Sequence, residues 1–373
     1  MQKIQNEFDY LIHLVRCTIH SLQPQELPKG LKFDRVFEYG KLHQVANIAF
    51  YSLERVKNKP SPVLYNQWQA YRDQAIVCDI TQSYAAQEIR DALQEQSIRW
   101  LEVQGTRLKH LYPQPDFRTM SDIDFIIDQE NIPKARDLLE DLGYECETVH
   151  RVELNANRPP NAYIEMHTEY FLGDHKYRHI MNSPFAAVDD QGQCLPNAFY
   201  LYNILHIAKH YFFCGCGIRR VLDVYYLNQK YAQCTKDPEV RKALEQAELT
   251  QFAAEFGRLA EAWFGTEEQD FPRSKMVSFI VNAGAHGSKY NEQQKILEKT
   301  FRDTGRFAGM KYYLGRFFGT REDFQTRYPV LKKYKILYPF CWLHRTFSVL
   351  RPKRLKEVRQ EMQIVKKMEH NKD

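Results

Sequence analysis

Apolar residues recur every three or four positions at the start of the chain. Phe8, Leu11, Ile12 and Val15 are followed, after a break around Pro24 to Pro28, by Val45, Ile48, Tyr51 and Leu53. That period predicts a helical leader over residues 1–95. From Arg99 to about Phe171 the period shortens to two, and Trp100-Leu-Glu-Val, Asp122-Ile-Asp-Phe-Ile-Ile-Asp and Tyr163-Ile-Glu-Met-His-Thr-Glu-Tyr-Phe read as strands bounded by turn-forming residues. Asn131–Leu142 lies between them as a helix, with Pro133 near its start, Leu138, Leu139 and Leu142 on one face, and Gly143 as its stop. Residues 96–190 are therefore a mixed α/β region. Helical signals return over 191–320, with Leu201, Leu205, Ala208 and Phe212, then Val221, Val224 and Tyr225. The last stretch, 321–373, is aromatic and basic. No internal repeat is visible, and the predicted class is α+β.

With 373 residues, 43% of them hydrophobic and 27% charged, the chain can bury a sizeable core and is neither disordered nor low-complexity. Its net charge of +5 does not describe a nucleic-acid coat. The charge is uneven: from Arg321 on there are 14 Lys and Arg against 6 Asp and Glu, so the preceding body is slightly acidic. No signal-peptide core appears, and no run of about 18 uncharged apolar residues. The nearest such run, Tyr334 to Leu350, contains Lys335, His344 and Arg345. Eight scattered cysteines without a Cys-x-x-Cys pair suit a reducing compartment, and the expected location is cytoplasmic.

The densest chemistry lies between Gly105 and Asp128. On a strand, Asp122 and Asp124 project from one face while Ile123, Phe125 and Ile127 cover the other. Two neighbouring carboxylates raise each other's pKa unless a cation shares them, and a divalent ion removes that cost. Mg²⁺ favours one or two carboxylates plus phosphate oxygens and water. A third carboxylate is expected from Glu165, which shares a strand face with His167 and Glu169. An Asp-x-Asp pair alone is as compatible with an ordinary half-buried strand. Here a strand–Gly–helix element (Arg99 to Tyr112) precedes it, and a helix and a second acidic strand follow, an order that can build one site.

The run Val103 to Ile127, with Gln104-Gly105, Leu111-Tyr-Pro-x-Pro, Arg118 and Ser121-Asp-Ile-Asp, resembles the bacterial uncharacterised nucleotidyltransferase family of the DNA polymerase β superfamily. The resemblance extends to Leu42-His-Gln-Val-Ala, Ile164-Glu-Met-His, Leu205-His-Ile-Ala-Lys-His and Ile218-Arg-x-x-x-Asp223, covering roughly Phe8 to Leu350. The chain departs from that pattern at Gln104, where Lys is usual, and at Glu165, where Asp is usual. The resemblance implies a polymerase β-like nucleotidyltransferase core flanked by helical regions. It also implies two Mg²⁺ ions, or Mn²⁺, held by Asp122, Asp124 and Glu165, with a nucleoside triphosphate as substrate and Glu165 able to take the acceptor proton. Gly105 and Thr106 would approach the phosphates, Arg118 would pair with one, and Ser121 and His167 would border the site. The acceptor is open: small molecule, sugar, protein or RNA.

Asn203, His206 and His210 form a polar stripe, and Arg219 and Asp223 are i, i+4 neighbours on the next helix. They are either nucleotide or acceptor contacts, or an interhelical hydrogen-bond network. A zinc set of His206, His210, Cys214 and Cys216 is a further alternative that lacks the usual finger spacing. The basic tail would touch RNA or an anionic membrane surface only if it is more than a solvated helix end. The competing functional reading is a catalytically silent nucleotide-binding or RNA-interaction protein that keeps the fold.

Overall fold

The computed structural model describes residues 4–149, 152–172, 175–181, 183–189, 192–267, 269–285, 287 and 338–341. The chain forms two compact units, Met1–His286 and Gly287–Asp373. In the second, a short helical stretch over 338–341 is described, so the expectation for the basic tail otherwise lies outside the described residues.

The first unit opens with α1 (Glu7–Ile19), α2 (Phe33–Leu42), α3 (Ala46–Leu53) and the long α4 (Pro62–Glu95). Local chemistry caps α1 and α4 at their starts. The Asn6 side chain accepts from the Asp9 N–H at 2.9 Å, with Glu7 and Asp9 in the first turn of α1 facing the positive end of its dipole. Ser61 caps α4 through the Leu64 N–H, and Pro62 occupies its first turn. The predicted face of α1 is buried at Phe8, Leu11, Ile12 and Val15, but so are Asp9, His13 and Arg16: the helix is a core element, enclosed on nearly all sides.

The mixed region builds one five-stranded sheet, ordered β1-β2-β5-β4-β3, from β1 (Trp100–Glu102), β2 (Ile123–Ile127), β3 (Glu145–Val149), β4 (Glu153–Arg158) and β5 (Ala162–His167). β2 and β5 pair parallel; the other neighbours are antiparallel. Between β1 and β2 lies the one-turn helix α5 (Gly105–Leu108), and α6 (Ile132–Asp141) joins β2 to β3. Gly143, at φ +83°, turns the chain out of α6 as a residue with a Cβ rarely does. One sheet face is dry: Ile123, Phe125, Ile127, Leu154, Ile164 and Met166 pack on Ala85, Ala86, Ile89 and Leu93 of α4 and on Ile132, Ala135 and Leu139 of α6. The alternation of the strands therefore sends Asp124, Glu165 and His167 to the opposite face.

That face looks toward the second helical set: α7 (Pro196–Phe213), α8 (Ile218–Lys230), α9 (Pro238–Gln246), α10 (Thr250–Phe264) and α11 (Lys275–Ala283). α7 is buried continuously from Phe199 to Ala208, so its expected polar stripe at Asn203 and His206 lies inside the protein. The first and last helices share one core. α1 packs against α10, and Arg16 donates to the carbonyls of Gly265 and Thr266 at 2.8 and 2.7 Å. Among the described residues no helix is long and apolar enough to cross a membrane.

Candidate metal and phosphate site

Parallel pairing of β2 and β5 sets Asp124 opposite Glu165 and Ile126 opposite His167. Asp124, Glu165 and His167 each offer one ligand atom, and these atoms lie within 4.8 Å of one another; among the described residues no other set of three converges in this way. His167 Nε2 sits 3.6 Å from Asp124 Oδ1 and 3.4 Å from Glu165 Oε2. Asp122 precedes β2 on the same side. It is outside the closest group yet near enough for Glu165 to act on its charge.

The electrostatics follow from crowding anions at a buried edge. Asp124 is 2% exposed, and burial pushes its carboxyl up to about 6, with the His167 ring beside it opposing and Asp122 adding to the rise. Burial and Glu165 also raise Asp122, while Arg220, Arg219 and Arg118 hold it down. For His167, burial disfavours the charged ring, but its contacts with Asp124 and Glu165 prevail and lift it to about 9. The imidazolium thus stands where a shared cation relieves the carboxylates. Its Nδ1 is buried without a hydrogen-bond partner. A set of carboxylate oxygens, one of them costly to ionise and already drawing in a cation, fits a hard divalent ion such as Mg²⁺ or Mn²⁺.

Two cations face this edge from the second helical set and were not picked out in the sequence. Lys209 on α7 is half-buried; desolvation lowers its pKa, while the fields of Asp124, Glu165 and Glu153 raise it. Arg220 on α8 lies near Asp122 and 3.6 Å from Asp223. Lys209 follows His206 by three residues, so helical spacing places both on one face, and that was the available signal. Tyr202 was missed as well: its buried hydroxyl lies near the Gln104 side chain and Asp124.

The remaining sequence-derived candidates divide into two groups. Gly105 begins α5 after Gln104 at φ +54°; a Cβ on Gly105 would fall 2.7 Å from Met120 Sδ and 3.4 Å from Arg118 Nη1. Thr106 is buried and its hydroxyl has no partner, leaving it able to donate to an added oxygen. Ser121 is exposed beside Asp122. Arg118, by contrast, is already engaged: Nε and Nη2 fork onto Asp223 at 2.7 and 3.1 Å, and Nη1 donates to the Thr119 carbonyl at 2.8 Å. Tyr112 donates to the same Asp223 at 2.7 Å. Asp223 is therefore held by Arg118 and Arg220. Arg219 instead donates to Gln44 and, at 2.8 Å, to the Thr119 carbonyl. Burial, followed by Arg118 and Arg220, lowers the Arg219 pKa to about 9. His206 and His210 are bonded to each other at 2.8 Å, and burial keeps His206 well below the usual imidazole range. These residues are thus engaged locally, His206 and His210 within α7 and Arg219 and Asp223 with Gln44, Tyr112, Arg118 and Thr119, and Cys214 and Cys216 do not join the histidines in a metal-ligand group among the described residues.

Among solved structures, the chain is similar to the solution structure of the antibiotic-resistance factor ANT(2'')-Ia, at 14% identity over 50% of this chain and 92% of that one, with a TM-score of 0.26. No curated protein matches the chain. A family model matches residues 29–265, most of the first unit and all of the site just described, and on that match the chain belongs to the uncharacterised nucleotidyltransferase family, as a transferase.

Proposed function

We propose that the protein transfers a nucleoside monophosphate from a nucleoside triphosphate to a hydroxyl or phosphate acceptor, with Asp122, Asp124 and Glu165 holding two divalent ions. The observation that carries this reading is the in-register pair Asp124–Glu165, closed by a histidine that stands in for a cation. Bound Mg²⁺ or Mn²⁺ would lower the acceptor's pKa and neutralise charge on departing pyrophosphate. The acceptor oxygen bonds the α-phosphorus, the bond to pyrophosphate breaks, and the acceptor proton passes to the partly exposed Glu165 carboxylate. Lys209 and Arg220 pair with triphosphate oxygens from the helical side, and Thr106 donates its free hydroxyl. Arg118 and Arg219 act as positioning residues: both grip the Thr119 carbonyl and so hold the turn that presents Asp122.

The test is incubation with α-phosphate-labelled nucleotides, a divalent ion and fractionated cell extract. Label moving into an acceptor with pyrophosphate release, lost in Asp122→Asn/Asp124→Asn, is the expected result. Binding of nucleotide without release, identical in the double variant, would establish the silent binding protein instead.

A further inference from the structure

A cavity of about 730 Å³ opens between Met181, Ser183, Ala186 and Ala187 on one side and the starts of α7 and α9 on the other. That volume suits a small organic ligand. Its floor is apolar and well buried, formed by Tyr170, Met181, Leu201 and Val240, with relative exposures of 6, 8, 9 and 2%. At its mouth Leu195 is 41% exposed. Among the described residues, the charged side chains lining it are all anionic: Asp237 and Glu239, with no Lys, Arg or His. Asp237 caps α9, accepting from the N–H groups of Glu239 and Val240 at 2.9 and 3.1 Å, and those backbone bonds hold its carboxyl below the usual range. Glu239 is exposed at the rim, and its carboxylate makes no ion pair among the described residues.

The cavity is separate from the carboxylate edge. Tyr170 lines it, the Tyr170 ring lies 4.9 Å from Tyr202, and Tyr202 in turn lies near Asp124. Both tyrosines are buried, so a ligand here would be a neighbour of the active site and would not reach the metal ions.

We propose that this cavity is a second small-molecule site, for a compound with an apolar, ring-sized body and a protonated amine placed at the Asp237–Glu239 rim. An apolar floor supplies affinity for the body, and a rim carrying anions alone discriminates by charge. The site does not depend on nucleotidyl transfer, and its occupancy is read without nucleotide.

The experiment titrates the full chain with 4-phenylbutylamine, 4-phenylbutanol and 4-phenylbutyrate, which share one body and differ in charge, by calorimetry. The amine is expected to bind at least tenfold tighter than the carboxylate, with the alcohol between. Ala243→Phe, which fills the cavity, should abolish binding of all three. Glu239→Lys, at an exposed position, leaves Asp237 facing a cation, and should cost the amine at least tenfold and bring amine and carboxylate to near parity. Equal binding of amine and carboxylate by the unaltered chain would overturn the proposal, as would an unchanged amine preference in Glu239→Lys or amine binding that survives in a folded Ala243→Phe.

Discussion

At the carboxylate edge Asp122 and Asp124 are held against ionisation. A divalent ion needs Asp124 deprotonated, and burial has raised that carboxyl to about 6. It also needs the space between Asp124 and Glu165, which His167 fills with a proton it keeps to about 9. Both groups give up protons when metal enters, so affinity must rise with pH. Mn²⁺ affinity, followed by electron paramagnetic resonance, should climb steeply up to about pH 6, more gently from there to about 9, and level off above. In His167→Ala the upper part should vanish; a wild-type curve already flat at pH 7 would remove His167 from this account. Asp223 poses the opposite problem. It is fully buried and answers the charge of Arg118, itself 3% exposed. Asp223→Ala leaves that guanidinium inside without its anion, a loss typically of about 3–5 kcal/mol. A drop of that size in urea unfolding free energy is the expected result; a change under about 1 kcal/mol would mean that Arg118 finds water instead.

Between elements, one close junction joins the end of α2 to the start of α8 and the end of α11. His43 Nδ1 accepts from the Ile218 N–H at 3.2 Å, and the Ala285 N–H donates to the Leu42 carbonyl at 2.8 Å. Gly217 sits so close that a Cβ there would meet the Ala285 nitrogen, the Gly284 carbonyl carbon and His43 Nδ1, each at 2.8 Å. Burial lowers His43 from an ordinary 6.5 to about 4, with the Val281 carbonyl opposing. The unfolded chain then binds more protons than the folded one between those values, so stability is present above about 6.5 and is lost as pH falls through 4. The full loss is about 3 kcal/mol. In His43→Asn this contribution to acid sensitivity should disappear from the pH dependence of the melting temperature; an unaltered acid limb would show that other groups set it. The sequence carried much of this architecture. α6 was expected at Asn131–Leu142 and runs Ile132–Asp141, because a proline, an apolar face and a glycine all mark the same element. β1, β2 and β5 were legible through alternation, and with them the facing of Asp124, Glu165 and His167. The β3–β4 hairpin was not. One of its faces carries Glu145, Glu147, Asn155 and Asn157, residue types that strands usually avoid, and the other supplies Cys146, Thr148, Leu154 and Ala156. Lys209 and Arg220 escaped notice for a different reason. They reach the carboxylates through tertiary packing; local spacing puts Lys209 on the His206 face but does not say what that face meets.

At the scale of the whole molecule, the family match and the folding unit have different limits. The match begins at residue 29, and α1 ends at Ile19, so α1 is outside the part of the chain that defines the family. Yet Leu11, Ile12, Leu14 and Val15 are completely buried, and Phe8 is 4% exposed. Phe8 packs edge-on against Tyr39 and Trp263 at 5.6 Å, and Arg16 ties the same helix to the chain just past α10. Burying each large apolar side chain contributes about 1.5–3 kcal/mol. Five of them together rival the 5–15 kcal/mol by which a domain is usually stable. Removal of α1 would also take away the Thr18 hydrogen bonds to the Ile48 carbonyl and the Ser52 hydroxyl. The chain lacking its first 28 residues should therefore show no cooperative thermal transition by circular dichroism and should bind a hydrophobic dye at room temperature, whereas the full chain melts sharply. A cooperative melt in the shortened chain within a few degrees of the full one would mean that the carboxylate edge and its cations are assembled without α1. The helix would then be an addition to the nucleotidyltransferase fold, separate from the core that holds β2 and β5 against α7 and α8.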